Sequence, residues 1–247
     1  MKTSLATAGI LTLLAAAPAS SAPPALVPPQ AAPSPVVTVV KIPTPWYAPR
    51  ALVVGKMRDT VPQYEQLPGL AYKMFSLAQD GGQFGGIYFW RDRERAGAWF
   101  NPAWFEGVEK ERGAPAQVRY FEAPVTVDNT PGGTPASLHS STVATLVLLP
   151  APPGTSRQRL LDEFRAAAPA YQKVPGLLRK HFVLADAGEF GGIYLWRDQA
   201  AAQQWFSAAW RQRVQAAYGT EARMEWFDTP ILTPSVLADN RVAVTTP

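Results

Sequence analysis

Few side chains of this sequence can act as an acid, a base or a nucleophile near neutral pH. The 247 residues include two histidines and no cysteine, so thiol catalysis and thiolate metal sites are excluded. His139 lies in a segment rich in Pro, Gly, Ser and Thr, where we expect solvent around it. His181, between Lys180 and Phe182, is either a general base, because imidazole titrates near neutral pH, or a histidine of the core or its rim.

Tyrosine and tryptophan recur at fixed places in a motif that the chain contains twice. Residues 84–92 and 190–198 are identical at eight of nine positions. Alternate side chains of a strand share a face, so the tyrosine and the tryptophan of each copy should lie together. They either line a pocket that orients a phenolic or quinonoid compound, or fill the core. These residues are Tyr88 and Trp90 in the first copy, and Tyr194 and Trp196 in the second.

Three cationic side chains are further candidates. Lys73 and Lys180 hold equivalent positions next to aromatic residues. A lysine there could stabilise an enolate or a phenolate, but its stem could also carry the amine to the surface, and we expect the second. Arg179 neighbours Lys180 on the strand that contains His181, and we include it among the residues expected to contact a substrate.

Other function classes are disfavoured by what the sequence lacks. It has no Gly-x-Gly-x-x-Gly or Gly-Lys-Ser/Thr motif for phosphates, no His/Asp/Glu cluster at metal-ligand spacing and no sign of a Ser-His-Asp set. The net charge of +4 comes without a block of Lys and Arg. This argues against a nucleic-acid partner, because phosphate neutralisation needs clustered cations. We expect no bound metal.

The repeated motif belongs to a longer tandem duplication. Shifting the sequence on itself by 106 or 107 residues aligns units of about ninety residues, at 36–125 and 143–232. Residues 126–142, rich in Pro, Gly, Ser and Thr, predict a linker between the two units. The aligned segments include Pro68–Leu70 with Pro175–Leu177, and Trp99-Phe100 with Trp205-Phe206.

Each repeat predicts the same order of elements. Runs of β-branched residues predict strands, and apolar residues at helical spacing predict helices. The order is βαββαβ, which is that of the ferredoxin-like unit. The first repeat should have strands at 36–42, 70–77, 84–92 and 117–122, with a helix at 48–66 and a second helix between Asp92 and Gly113. The second should have strands at 143–149, 177–184, 190–198 and 223–228, with a helix at 156–172 and another between Asp198 and Gly219.

Prolines and small polar residues should interrupt these helices. Pro62 and Pro169 should kink or restart the last turn of the first helix of each repeat. Asn101-Pro102 should break the second helix of the first repeat, whereas Ser207-Ala208 should leave its copy smoother.

The predicted sheets need each other. A four-stranded sheet with helices on one face leaves its other face bare, and the tandem copy can cover that face. We therefore predict an α+β fold in which two fused ferredoxin-like units form one closed barrel with the helices outside. Such an internal pseudo-dimer has little need for a second chain, and we expect a monomer.

The N-terminal segment predicts export. A basic residue precedes the apolar run Leu5–Ala17, and Ala17-Pro18-Ala19 fits a small-x-small cleavage site. We expect residues 1–19 to be the signal peptide of a periplasmic or secreted protein, with no stable membrane insertion after cleavage. Residues 20–35, rich in Pro and Ala, predict an extended tether, and residues 233–247 form a C-terminal tail.

The motifs together resemble a known superfamily. Pro-Gly-Leu, Gly-Gly-Ile-Tyr-[Phe/Leu]-Trp-x-Asp and Ala-x-x-Trp-Phe on a ferredoxin-like unit are similar to the dimeric α+β barrel proteins. The most similar group is the antibiotic-biosynthesis-monooxygenase-like one, particularly its YdhR-type candidate monooxygenases. Many members carry histidines in the second helix. This sequence has Trp99 and Trp205 at the first of those positions, and Trp104 and Trp210 at the second.

The resemblance implies a cofactor-independent monooxygenase that acts on a small aromatic or quinonoid compound, in a cavity between sheet and helices. We assign His181 and Tyr194 to catalysis. A second hypothesis is a non-catalytic periplasmic protein that binds a small hydrophobic ligand. A third is a heme-handling relative with His181 as the axial ligand. The residues assigned to substrate binding are Tyr88, Trp90, Trp196, Arg179, Trp205 and Trp210.

Overall fold

A computed structural model describes residues 34–45, 47–130 and 140–234. The predicted signal peptide, nearly all of the tether, His139 and nearly all of the C-terminal tail lie outside these ranges. None of the helices in the described part of the chain is both long and apolar enough to cross a membrane.

Both repeats have the predicted order of elements. The first contains β1 (Val36–Pro43), α1 (Arg50–Asp59), α2 (Val61–Glu65), β2 (Leu70–Ala78), β3 (Gln83–Trp90), α3 (Arg93–Trp99), α4 (Pro102–Arg112) and β4 (Gln117–Asp128). The second contains β5 (Val143–Pro150), α5 (Arg157–Tyr171), β6 (Leu177–Ala185), β7 (Glu189–Trp196), α6 (Gln199–Trp205), α7 (Ala208–Tyr218) and β8 (Arg223–Leu232).

The eight strands close into one antiparallel barrel. Around the barrel they follow the order β1-β3-β2-β8-β5-β7-β6-β4. Four neighbouring strands come from each repeat, and the two sheets join where β2 pairs with β8 and where β4 pairs with β6. The prediction of two fused ferredoxin-like units that form one α+β barrel within the chain is confirmed.

The strands that join the repeats are longer than predicted. We expected β4 to end at Glu122, but it continues to Asp128, and it pairs with β6 through a register shift between Glu122 and Val125. Pro124, which lies at this irregularity, has no N–H to donate, and a bulge tolerates such a residue. β8 likewise continues past its expected end at residue 228 to Leu232. The first three residues assigned to the linker therefore belong to β4.

The helix ends follow the predicted capping residues. The side chains of Asp92 and Asp198 accept hydrogen bonds from backbone N–H groups in the first turns of α3 and α6. Gly113 and Gly219 end α4 and α7 in the left-handed conformation, which glycine adopts without steric cost. Capping therefore places the second helical segment of each repeat over its sheet.

Two predicted details of the helices differ from the structure. The second repeat is broken in the same place as the first, because Ser207 caps α7 as Asn101 caps α4; our expectation of a smoother copy was wrong. The proline near the end of the first helix also acts differently in the two repeats. α2 starts anew around Pro62, whereas α5 continues through Pro169.

Buried side chains form two kinds of layer. The barrel interior contains apolar residues of both repeats, among them Ile87 and Phe89 from β3 and Ile193 and Leu195 from β7. The alternate residues of the same strands face the helices of their own repeat. The structure thus shows that the tyrosine and tryptophan of each motif lie on the helix side of the sheet.

Candidate functional site

The first repeat buries one lysine between its sheet and its helices. The Nζ atom of Lys73 lies 3.4 Å from the ring centroid of Tyr64, 3.8 Å from that of Phe75 and 4.4 Å from that of Tyr88. Only 2% of Lys73 is exposed. Burial lowers the pKa of this amine well below its ordinary value, because the ammonium form loses its hydration. We call Lys73 and its three rings the first cage.

The second repeat contains the same arrangement. The Nζ atom of Lys180 lies 3.3 Å from the ring centroid of Tyr171, 3.7 Å from that of Phe182 and 4.7 Å from that of Tyr194. Burial lowers the pKa of Lys180 in the same way. We call this the second cage. Our expectation that both lysine stems carry their amines to the surface was wrong, since both amines are enclosed by aromatic rings.

A glycine on the neighbouring strand makes room for each lysine. A Cβ atom at Gly86 would lie 2.6 Å from Cε of Lys73, and one at Gly192 would lie 3.0 Å from Cε of Lys180. The preceding residue must be glycine for another reason, since a Cβ atom at Gly85 would overlap a backbone carbonyl oxygen of β1. In the Gly-Gly pair of the motif, the first residue therefore permits strand pairing and the second accommodates the lysine.

A partly buried tryptophan adjoins each cage. The ring of Trp99 lies 6.0 Å from that of Tyr64, and the ring of Trp205 lies 5.6 Å from that of Tyr171. The Nε1 atoms of both tryptophans are buried without a hydrogen-bond partner in the described residues. A buried donor left unpaired costs about 1–3 kcal/mol. The same cost at the same place in both repeats indicates a position where a bound acceptor atom would fit.

The tyrosines of the cages remain protonated at neutral pH. Burial raises the pKa of Tyr64 and raises that of Tyr88 well above its ordinary value. Burial has the same effect on Tyr171 and Tyr194. Each cage therefore offers hydroxyl donors, one amine and an adjacent indole N–H, enclosed by apolar rings.

Three of the tryptophans assigned to substrate binding pack in the core instead of the cages. Trp90 donates a hydrogen bond from Nε1 to Thr38 Oγ1 at 3.0 Å, and Trp196 donates one to Thr145 Oγ1 at 3.2 Å. Trp210 packs edge-on against a phenylalanine that precedes α7, with centroids 4.9 Å apart. These contacts account for all three residues without a ligand.

His181 lies in the barrel interior. Its Nε2 is 2.5 Å from the hydroxyl oxygen of Tyr72, and its Nδ1 is 2.9 Å from Thr126 Oγ1. Burial, together with the positive charge of Arg179, lowers the pKa of this imidazole well below its ordinary value. The ring is therefore neutral, and a neutral imidazole donates one hydrogen bond and accepts one, which matches its two partners.

Arg179 belongs to the same interior cluster. It pairs with Asp128 at 3.0 Å, and its guanidinium carbon lies 4.6 Å from the ring centroid of Tyr72. Asp128 comes from the extension of β4 into the other repeat, so this ion pair joins the two repeats. We call Tyr72, Thr126, Asp128, Arg179 and His181 the interior cluster.

The structure separates the two residues assigned to catalysis. Across β6 and β7, Lys180 lies opposite Tyr194, whereas His181 lies opposite Ile193. Tyr194 therefore faces the helices, and His181 faces the barrel interior. Of the assigned residues, Tyr88 belongs to the first cage, Tyr194 and Trp205 to the second cage and its rim, and Arg179 and His181 to the interior cluster.

Sequence reasoning missed several residues of these groups. Tyr64 and Tyr171, the closest walls of the cages, precede their lysines by the same distance in the chain, so the internal repeat contains the signal that would have found them. Tyr72 and Thr126 have no such signal. Thr126 reaches His181 because β4 pairs with β6 of the other repeat, and Tyr72 reaches it across the barrel interior from β2.

A surface cavity adjoins the first cage. Its volume is about 180 Å³, and its lining includes Tyr64, Leu70, Ala71, Tyr72 and Thr233. A second cavity of about 310 Å³ lies at the other end of β2 and contacts none of the residues assigned to a function. The smaller cavity is therefore the one that can lead to a candidate site.

The described residues contain no group of three or more His, Cys, Asp or Glu that could hold a metal ion. Both ring nitrogens of His181 have hydrogen-bond partners. An axial bond from this histidine to heme iron would require one of those hydrogen bonds to break.

Comparison with solved structures identifies the fold. A candidate monooxygenase from Fusobacterium nucleatum matches with a TM-score of 0.60 at 8% identity, over 82% of this chain and 95% of that chain. An anthrone oxidase-like protein matches with a TM-score of 0.54 at 13% identity, over 86% and 97% of the two chains. A candidate monooxygenase from Lactobacillus acidophilus gives 0.54 at 11% identity, over 81% and 96%.

No protein-family model and no curated protein matches the sequence. At these identities the structural likeness shows the fold alone. It extends over more of the chain than either repeat could supply, so both repeats take part. The resemblance that the motifs predicted is confirmed at the level of the fold, which is that of monooxygenase-like dimeric α+β barrels.

Proposed function

We propose that this chain, which has the fold of monooxygenase-like α+β barrels, oxidises a small aromatic or quinonoid compound without a bound cofactor. The reaction takes place in the layer between sheet and helices. One observation carries the proposal: each repeat places an unpaired buried indole N–H, from Trp99 or Trp205, beside an aromatic cage that contains an amine.

The aromatic walls suit a flat apolar substrate. Aromatic rings pack against one another with centroids about 4.5–7 Å apart. Substrate oxygen atoms would accept hydrogen bonds from the indole N–H and the tyrosine hydroxyls. These donors would bind the oxygen more strongly once the substrate is an anion, because charge-assisted hydrogen bonds are the stronger ones.

The overall reaction balances without a cofactor. A methylene group flanked by two aromatic rings loses a proton, and the resulting carbanion reduces dioxygen. Two C–H bonds break and one C=O bond forms, so the carbon gives up four electrons. Dioxygen accepts these four electrons, and its two atoms end in the carbonyl group and in water. The protein would supply a base, donors for the anion and a site that excludes water.

A second candidate function is binding without turnover. Each cage offers rings, hydroxyls and one amine, and neither contains a histidine or a carboxylate to act as a conventional base. Such a site could hold a small hydrophobic ligand in the periplasm, where we expect the exported chain.

Oxygen uptake separates the two candidates. Anthrone is the first probe, because one structural neighbour is an anthrone oxidase-like protein. We expect the purified protein to consume oxygen and release anthraquinone in equal amounts, without added metal or flavin. Replacing both Trp99 and Trp205 by Phe should lower the rate by about 100-fold, which is typical of losing a donor to a developing anion.

Trp104→Phe is the control, because the ring contacts of this indole are with Phe100 and Phe105 and not with the cage. Saturable anthrone binding without oxygen uptake would favour the binding protein. If the protein neither binds anthrone or related phenols nor consumes oxygen with them, both candidates are contradicted.

A further inference from the structure

The two cages have the same composition but different covers. In the first repeat the helix over the cage is interrupted. α1 ends at Asp59, and Tyr64 belongs to the five-residue α2, none of whose residues is buried. In the second repeat Tyr171 is the last residue of the fifteen-residue α5, which buries four residues. Tyr64 is therefore on the less strongly held element.

Further contacts fasten the cover of the second cage. Asn129 donates hydrogen bonds from Nδ2 to the backbone oxygens of Tyr171 at 3.2 Å and Leu177 at 2.9 Å, so the end of α5 is tied to β6. The aromatic neighbours of Tyr171 include Phe182 at 5.4 Å. Tyr64 has an equivalent ring contact in the first cage, with Phe75 at 5.5 Å. Opening the second cage would therefore break the Asn129 hydrogen bonds in addition to the ring contacts.

The first cage also has an approach from the surface. The cavity of about 180 Å³ is lined by Tyr64, and the ring centroid of the same tyrosine lies 3.4 Å from the Lys73 amine. A cavity of roughly this size holds one benzene-sized ring, since an apolar cavity of about 150 Å³ binds benzene. The cavity thus takes one ring of a compound such as anthrone, and Tyr64 must move before the rest of the compound can approach the buried amine.

We infer that the first cage is the working site, that substrate enters past Tyr64 under α2, and that Lys73 removes the substrate proton. The inference rests on the proposed function and names its base. The lone pair of the uncharged amine takes the proton, which leaves a substrate anion beside an ammonium group. The anion then bonds to dioxygen through its carbon, and the ammonium returns this proton to the outer oxygen atom. When the O–O bond breaks, the second C–H proton joins that oxygen, which leaves as water, and the inner oxygen stays as the carbonyl.

The surroundings of Lys73 suit both protonation states. Burial favours the uncharged amine before the reaction, and the faces of three aromatic rings stabilise the ammonium once it forms. The titratable groups that face this amine are the phenols of Tyr64 on α2 and Tyr88 on β3, and burial keeps both protonated. Glu65 also lines the surface cavity.

Amine labelling of the wild-type protein tests the site without relying on turnover. The folded chain is treated with formaldehyde and cyanoborohydride at several pH values, and dimethylation of each lysine is followed by mass spectrometry. We expect Lys73 to react about ten-fold faster than Lys180, because its cover opens at a lower local free energy. Saturating anthrone under anaerobic conditions should protect Lys73, and exposed Lys56 serves as the control that anthrone does not protect. Equal rates at Lys73 and Lys180, or no labelling of Lys73 before the chain unfolds, would overturn the inference.

Activity of the paired variants supplies the second test. Lys73→Met keeps the length of the side chain and removes the base, so oxygen uptake should fall by about 100-fold or more. The rate of Lys73→Met should also lie well below that of Lys180→Met, once circular dichroism has shown that both variants are folded. If the wild type consumes oxygen and the two variants lose activity equally, the inference fails and the proposed function stands. If the wild type consumes none but labelling favours Lys73, the proposed function fails and the assignment of the accessible site stands.

Discussion

Replacement of His181 by methionine tests whether this histidine holds the two repeats together or takes part in chemistry. Methionine is what the first repeat has at the equivalent position, Met74. The substitution leaves the hydroxyls of Tyr72 and Thr126 without their shared partner. Each unpaired buried group costs about 1–3 kcal/mol. Thr126 is exposed and water can replace its partner, so the expected loss comes from Tyr72 and is about 1–3 kcal/mol in the free energy of unfolding.

Urea unfolding measures this loss. Small proteins have slopes of about 1–3 kcal/mol per molar urea, so the midpoint of His181→Met should fall by about 1 M. Adding Tyr72→Phe to this variant should restore part of the stability, since removing both partners of a buried hydrogen bond can be nearly neutral. A coupling energy of about 1–3 kcal/mol between the two substitutions is expected for direct contact.

The same histidine should make stability depend on pH. Its folded-state pKa lies below the ordinary value of 6.5, because burial disfavours the charged ring. The unfolded chain therefore binds a proton that the folded chain does not, and stability falls as pH decreases from about 6.5 towards the lowered pKa, by up to about 1.4 kcal/mol per pH unit. His181→Met should lack this part of the acid dependence.

Two results would refute this reasoning. A variant within about 0.5 kcal/mol of wild type, the range of ordinary surface substitutions, would mean that the hydrogen bonds do not stabilise the barrel. A stable variant that loses oxygen uptake would restore His181 as the catalytic residue that the sequence suggested.

Three further predictions concern other parts of the chain. Gly85→Ala should destabilise the protein more than Gly86→Ala in urea unfolding. The Cβ atom of an alanine at position 85 would clash with the backbone of β1, whereas one at position 86 would clash with the end of the Lys73 side chain. Asp128→Asn should cost about 1.5–3 kcal/mol, since the buried Arg179 loses a charged partner that is itself exposed; an equal midpoint for wild type and variant would contradict this. Native mass spectrometry of protein exported with its signal should give a single chain that begins at Ser20, and a doubled mass would contradict the internal pseudo-dimer.

The internal repeat made most of the fold predictable. Two copies of one pattern, each with a capping aspartate and a terminal glycine, predict the same βαββαβ unit twice. The lengths of β4 and β8 were not predictable in this way, because Pro124 looks like the end of a strand in a single sequence. Only the pairing of β4 with β6 shows that the bulge is tolerated and the strand continues.

The candidate site was predictable in its residue types and not in its grouping. Strand periodicity shows which residues share a face, but it does not show which face of one strand matches which face of the next. That depends on register, which sets Lys180 opposite Tyr194 and leaves His181 on the other side. The lysines were expected at the surface because buried charges are rare. Their burial depends on a glycine of the neighbouring strand. Which glycine lies beside each lysine is again set by the register of the two strands.

The duplication itself separates features of the fold from features of one repeat. The cages, the Gly-Gly pairs and the unpaired indoles occur in both copies. A feature that every single unit has, such as a site of the ancestral unit, explains them. The interior cluster occurs once, since the residue that corresponds to His181 in the other copy is Met74. A barrel built from two identical chains would have placed either two histidines or none in its interior. A single chain is free of that constraint, and it equally allows the helices over the two cages to differ, as the five-residue α2 over the first cage differs from the fifteen-residue α5 over the second.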